Sequence, residues 1–260
     1  MADQIFFTHV MKTGGTSVLK ALRSPFEAHE LFPCPTSRGD QMVAKTMSNR
    51  LLDLEPTERA RIRLFSVHQP AWIAQAAAPH AMRVTVVREP VDRTVSHLRH
   101  LARGADLTDD LMSIYDDEGW RSRLVDHQCQ MFATTPGDVA SLPRIEPELL
   151  DDEGRRDLWD GIQRIWWTGV TVPLTIDRSR ADAAIDCLAE YDVVGVTDDL
   201  PGFLRAVAAR AGLDLPEISH ANAAPSADAV PTALLARIEA DTAFDQELYQ
   251  RARVLAGVDG

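Results

Sequence analysis

Two stretches of this 260-residue chain combine residue types that handle anions, and a third ends in a titratable ring. In Lys12-Thr13-Gly14-Gly15-Thr16-Ser17 a lysine precedes a glycine pair and two hydroxyl residues. Glycines let a chain bend tightly and bring backbone N–H groups up to an anion. Thr16 and Ser17 fall where a helix would start, and the unpaired amides and dipole of a helix start favour phosphate. Lys12 adds a point charge beside that anion. The plain alternative is a strand-to-helix turn that happens to hold a lysine. In Arg88-Glu89-Pro90-Val91-Asp92-Arg93-Thr94-Val95-Ser96 an arginine stands just before a helix-starting proline. If Pro90 opens the helix, Arg93 and Ser96 lie three apart on one face. Arg88 can then fork onto phosphate oxygens while Ser96 donates to the same group. The alternative is a solvated polar face that happens to hold Arg93, Ser96, His97 and His100. His68 follows the second strand-like run, and His9, after the first, is expected to be packed.

The elements that must position these residues follow from periodicity. Ile5 to Val10, Arg61 to Val67, Met82 to Val87 and Tyr191 to Val196 read as strands, with Met82 to Val87 continuous enough for burial on both faces. Helical spacing follows Ser17 and runs from Val91 to Ala102, Trp120 to Met131, Arg180 to Glu190, Pro201 to Ala211 and Thr232 to Leu255, with a Pro/Ala/Ser-rich loop around Asn222. A tryptophan-bearing segment, Leu158 to Trp167, leads into apolar Thr168 to Ile176. Strands alternating with helices predict an α/β fold: a P-loop-like three-layer sandwich, its central parallel sheet flanked by helices, in one domain over 1–260. In such a sheet ligands bind beyond the carboxyl ends of the strands, where Lys12, His68 and Arg88 all stand. The loop is not a Walker A motif, because the lysine precedes the glycines. The Met82 to Val87 strand ends in Arg88 rather than in an acid that would hold Mg²⁺; a cation there suits an extra phosphate.

Composition narrows the field. A net charge of −12 argues against general nucleic-acid binding and against a highly anionic polysaccharide as partner, so an anionic ligand needs a local basic pocket. Only three lysines occur, Lys12, Lys20 and Lys45. No apolar run reaches the ~18–20 residues of a membrane span, and no signal-type segment opens the chain. Three scattered cysteines, Cys34, Cys129 and Cys187, fit reduced thiols in a cytoplasm better than disulfides or a zinc site.

The segment His9-Val10-Met11-Lys12-Thr13-Gly14-Gly15-Thr16-Ser17 resembles the 5′-phosphosulfate loop of sulfotransferases that use 3′-phosphoadenylyl sulfate (PAPS), H-x-P-K-T-[AG]-G-T-S, with Met11 in place of the proline. Arg88 to Ser96 is similar to their 3′-phosphate signature, R-x-P-x-x-R-x-x-S, in the same order and at a similar separation. Ser66-Val67-His68-Gln69-Pro70 and Tyr191-Asp192-Val193-Val194-Gly195-Val196-Thr197 look like weaker echoes of the bacterial and carbohydrate-type sulfotransferase family 2. Asp126-His127-Gln128-Cys129-Gln130-Met131 departs from that group's Asn-x-Gln-Thr-Arg pattern, so no role is carried onto it.

The resemblance implies transfer of a sulfuryl group from PAPS to a hydroxyl or amine of a small-molecule or glycan/glycolipid acceptor, releasing 3′,5′-bisphosphoadenosine, with no metal. It implies that Lys12, Thr13, Gly14, Gly15, Thr16 and Ser17 hold the 5′-phosphosulfate, and that Arg88 and Ser96 grip the 3′-phosphate. Arg93 fits the motif or is structural. Lys12 would also neutralise charge on the leaving phosphate. An acceptor hydroxyl needs a base: His68 suits it, since an ordinary imidazole pKa of ~6.5 allows proton removal near neutrality. Glu30 is the rival base. The tryptophans Trp72, Trp166 and Trp167 are candidates for stacking or for plain packing. Region 105–180 is expected to shape the acceptor pocket. The competing reading is a P-loop-type small-molecule kinase.

Overall fold

The computed structural model describes residues 3–34, 51–104, 107, 110–140, 163–218 and 230–258. Its strands are β1 (Ile5–Thr8), β2 (Leu31–Phe32), β3 (Leu64–Val67), β4 (Met82–Val87) and β5 (Val193–Val196). They form one sheet in the order β2-β3-β1-β4-β5, every pair parallel. The helices are α1 (Gly15–Arg23), α2 (Pro56–Arg59), α3 (Trp72–Ala77), α4 (Pro90–Gly104), α5 (Leu111–Asp116), α6 (Glu118–Leu124), α7 (His127–Ala133), α8 (Pro136–Ala140), α9 (Arg178–Ala189), α10 (Leu200–Ala211), α11 (Thr232–Asp241) and α12 (Ala243–Leu255). Residues 163–168 add a further helical turn.

The strands are runs of β-branched and aromatic residues with both faces buried, as parallel sheets require. Alternate side chains go to opposite layers. Ile5, Phe7, Val84, Val86 and Val193 pack against Val18 and Leu22 of α1 and Phe203, Leu204 and Val207 of α10. Phe6, Phe65 and Val67 face α3, and Val87, Val194 and Val196 face α7, α9 and α12. Each fully buried side chain of this size contributes about 1.5–3 kcal/mol. Val95, Leu98 and Leu101 of α4 anchor a satellite cluster with α5, α6 and α11. This is the expected α/β architecture.

Three local expectations need correction. The helix expected from Trp120 to Met131 is two helices, because Asp126 takes a left-handed conformation (φ 42°) that no α-helix contains. The helix expected from Thr232 to Leu255 breaks at Thr242, whose φ of −118° and ψ of 32° are also non-helical. The two-residue β2 was not foreseen, being too short to show a period, so Arg88 follows the fourth strand and not the third. The loop around Asn222 and the stretch 141–162 lie outside the described residues.

Candidate functional site

The chain runs from β1 out to β2 and β3 on one side, then returns to β4 and β5 on the other. That reversal places the crevice of an open parallel sheet beside the carboxyl end of β1. A cleft of about 910 Å³ opens there. It is lined by the turn from β1 into α1 (Lys12, Gly14, Gly15, Thr16, Ser17), by His68 after β3, and by Arg88 and Ser96 around the β4–α4 junction. The two anion-handling stretches, separated by some seventy residues of chain, therefore share one cavity.

The turn is tightly specified. Gly14 sits at φ 79°, a left-handed conformation natural to glycine, and caps α1. Gly15 has no room for a side chain: a Cβ there would lie 1.7 Å from His9 Nε2. The His9 ring packs on that spot because it lies between Phe7, on which it stacks (centroids 5.1 Å apart), and the tilted ring of His68 (4.0 Å). Lys12 also lies in the left-handed region, at φ 69°. A non-glycine residue held there stores about 1–3 kcal/mol and is a common mark of a functional turn. The Ser17 N–H turns back to the Gly14 carbonyl at 3.1 Å, so among the first amides of α1 those of Gly15 and Thr16 remain to meet a ligand, with the Thr16 and Ser17 hydroxyls beside them. Thr13 is buried and its hydroxyl donates to the Val10 carbonyl at 3.0 Å, so its side chain braces the turn and does not line the cleft.

Arg88 reaches across the cavity. Its Nη1 donates to the Lys12 carbonyl at 3.4 Å, and its Nη2 lies 3.8 Å from Asp92, a largely exposed partner. An exposed pair of this kind is worth about 0–1 kcal/mol, so an incoming dianion can replace Asp92. Burial, then Arg103, then Arg88 lower the pKa of Lys12 below its ordinary value. Lys12 thus feels the repulsion of two arginines even in a protein of net charge −12, and an anion beside it relieves that repulsion. Thr197, at the end of β5, ties the site together: its hydroxyl lies 3.2 Å from both the Thr13 and Val87 carbonyls.

Arg93 and Ser96 do not share a face as the three-residue spacing suggested. Asp92, Ser96 and His100, four apart, form the cleft-facing stripe of α4. Arg93 and His97 point into the core, where Arg93 is fully buried and donates to His97 Nδ1 (3.0 Å), Thr94 Oγ1 (3.0 Å) and the Leu124 carbonyl (3.1 Å). Burial brings its pKa down to about 10.

His68 lines the cleft and its Nδ1 lies 2.8 Å from the His9 carbonyl oxygen. A carbonyl only accepts, so Nδ1 carries the proton and Nε2 is the ring's acceptor nitrogen while the imidazole is neutral. Glu30 is elsewhere: it is not among the lining residues, and its carboxylate accepts the Glu27 N–H at 2.8 Å as a capping box. Trp72 is absent from the lining and packs beside the α3 cluster, whereas Trp166 and Trp167 form part of the cleft wall.

His100 was missed as a site residue, although its place four residues after Ser96 was a usable signal. It meets the Trp167 ring edge-on at 5.0 Å, and burial, Lys12 and Arg103 bring its pKa down to about 4. Thr197, Asp198 and Leu200 also line the cleft; only the fold brings the end of β5 there.

No family profile and no curated protein matches the chain. Among solved structures, a sulfotransferase from Alicyclobacillus acidocaldarius aligns over 99% of this chain and 97% of its own, at 17% identity and a TM-score of 0.48. A likeness at that level carries no inference about activity.

Proposed function

We propose that this protein is a PAPS-dependent sulfotransferase. The observation that carries the reading is the shared cleft, in which Arg88 donates to the Lys12 carbonyl and the glycine turn and Ser96 belong to the same lining. One adenosine carrying a 5′-phosphosulfate and a 3′-phosphate has two anionic groups to place, and the two motifs offer one cradle each.

In this mechanism the acceptor oxygen forms a bond to sulfur as the bond from sulfur to the bridging oxygen of the 5′-phosphate breaks. The electron pair stays on that phosphate, and Lys12 with the Gly15 and Thr16 amides neutralises the growing charge. His68 Nε2 takes the acceptor proton, the imidazolium being held by the His9 carbonyl. Arg88 and Ser96 hold the 3′-phosphate and so select PAPS over adenylyl sulfate. Arg93 acts as a structural cation. Catalysis is then positioning and charge stabilisation, with no step assigned to a metal. Trp166, Trp167 and His100 offer the acceptor an aromatic wall, uncharged near neutrality, which suits a small-molecule or glycan/glycolipid hydroxyl better than a polyanion. We read 1–260 as one domain, in which the region 105–180 serves the acceptor side through Trp166 and Trp167, and place the enzyme in the cytoplasm.

Calorimetry with 3′,5′-bisphosphoadenosine in EDTA tests the donor, with MgATP as the kinase arm. The bisphosphate is expected to bind and MgATP to be ignored. Arg88→Ala is expected to weaken the bisphosphate by roughly tenfold or more, and Lys12→Ala to cut turnover by roughly 10²–10³. Tight MgATP binding, or equal bisphosphate affinity in wild type and Arg88→Ala, sinks the reading.

A further inference from the structure

We infer that Gln128 is a positioning residue that presents Arg88 to the 3′-phosphate and thereby sets donor specificity. This rests on the donor assignment above. Arg88 is the first residue beyond β4, where the strand ladder ends, and Pro90, with no N–H to donate, follows almost at once. The Arg88 peptide groups would therefore be left to solvent at the floor of the cleft. Gln128 takes both of them: its Oε1 accepts the Arg88 N–H at 2.9 Å, and its Nε2 donates to the Arg88 carbonyl at 2.8 Å. A carboxamide is the side chain that can do both at once, having one acceptor and one donor side by side. Gln128 is itself fully buried.

The clamp is anchored from behind. Asp245 of α12 accepts the Gln128 N–H at 3.1 Å and the Cys129 N–H at 2.7 Å, capping the start of α7. Asp126 Oδ1 in turn accepts the Asp245 N–H at 2.9 Å. Arg93 favours the ionised Asp245. A continuous run of buried polar contacts thus leads from α12 through α7 to the backbone of Arg88, and leaves only the Arg88 side chain free to turn toward a ligand.

Affinity for two nucleotides tests this: 3′,5′-bisphosphoadenosine, which carries the 3′-phosphate, and 5′-AMP, which does not. Wild type is expected to prefer the bisphosphate by at least roughly tenfold. In Gln128→Met, which keeps the volume but removes both hydrogen bonds, that preference is expected to fall by roughly tenfold while 5′-AMP binds within about twofold of wild type. Gln128→Glu keeps the acceptor and loses the donor, and serves as the second variant if Gln128→Met does not fold. In the double variant with Arg88→Ala the preference should fall no further than in Arg88→Ala alone. A general loosening of the fold would weaken both nucleotides together, and that result overturns the inference. So does a bisphosphate preference that survives the loss of the Gln128 carboxamide. A wild type that binds the two nucleotides equally overturns the donor assignment itself.

Discussion

At the residue scale the site depends on atoms that are absent. Gly15 has no side chain because the His9 ring occupies the place of a Cβ, and His9 is held there between Phe7 and His68. Gly15→Ala must push either the ring or the turn aside. The expected cost is about 1–3 kcal/mol, as for other overpacked sites, together with loss of nucleotide affinity. Thermal unfolding and calorimetry check both, and Gly15→Ala with His9→Ala should recover stability by vacating the clash. If Gly15→Ala alone unfolds and binds like wild type, the turn is not packed as described. The strained φ of Lys12 belongs to the same economy of space: the ammonium is delivered into the cleft from a backbone conformation that most side chains avoid.

At the scale of elements, the break between α6 and α7 matters more than the continuous helix it replaces. The left-handed Asp126 turns its carboxylate toward α12, where it accepts the Asp245 N–H. Burial, then the neighbouring Asp245, then Asp241 raise the pKa of Asp126 to about 7, against the pull of two backbone amides. Asp245 is also raised, by burial, with Arg93 opposing. The folded protein therefore holds a proton on this pair more tightly than the unfolded chain does. The resulting contribution to stability is whole below the ordinary carboxylate pKa and is lost as pH rises through about 7. Thermal midpoints are expected to fall from about pH 5 to about pH 8 on this account. Asp126→Asn, which keeps the Oδ1 acceptor without the titration, should flatten that slope. An unchanged slope would remove Asp126 from the explanation.

At the scale of the whole molecule, four strands, β1, β3, β4 and β5, end at one cavity, and Thr197 after β5 bridges the ends of β1 and β4. A ligand that binds across the cavity joins elements that must separate on unfolding. At a concentration of 100 times its Kd, 3′,5′-bisphosphoadenosine is expected to stabilise the fold by about 2.7 kcal/mol, which for a chain of this size is a rise in Tm of roughly 5–10 °C. The shift should shrink with added salt, since cations inside a negatively charged molecule bring the ligand in. A bisphosphate that leaves Tm unmoved at saturating concentration would mean that the cavity is not its site.

Much of this was legible in the amino-acid order. Uninterrupted β-forming runs and helical spacing give the parallel α/β sheet, because burial on both faces leaves a local signature in each strand. The glycine turn and the Arg88 to Ser96 stretch were legible because each is local, its residues adjacent in chain and in space. The sequence could not show that Arg93 turns inward while Ser96 and His100 face the cleft; neighbouring elements decide which stripe of α4 is buried. Nor could it show that Glu30 is spent on its own turn, or that Gln128, forty residues away, holds the backbone of Arg88. The Gln128 contact is long-range and made by a single side chain, with no period and no local partner, and only the packing of α7 and α12 against the sheet brings it into being.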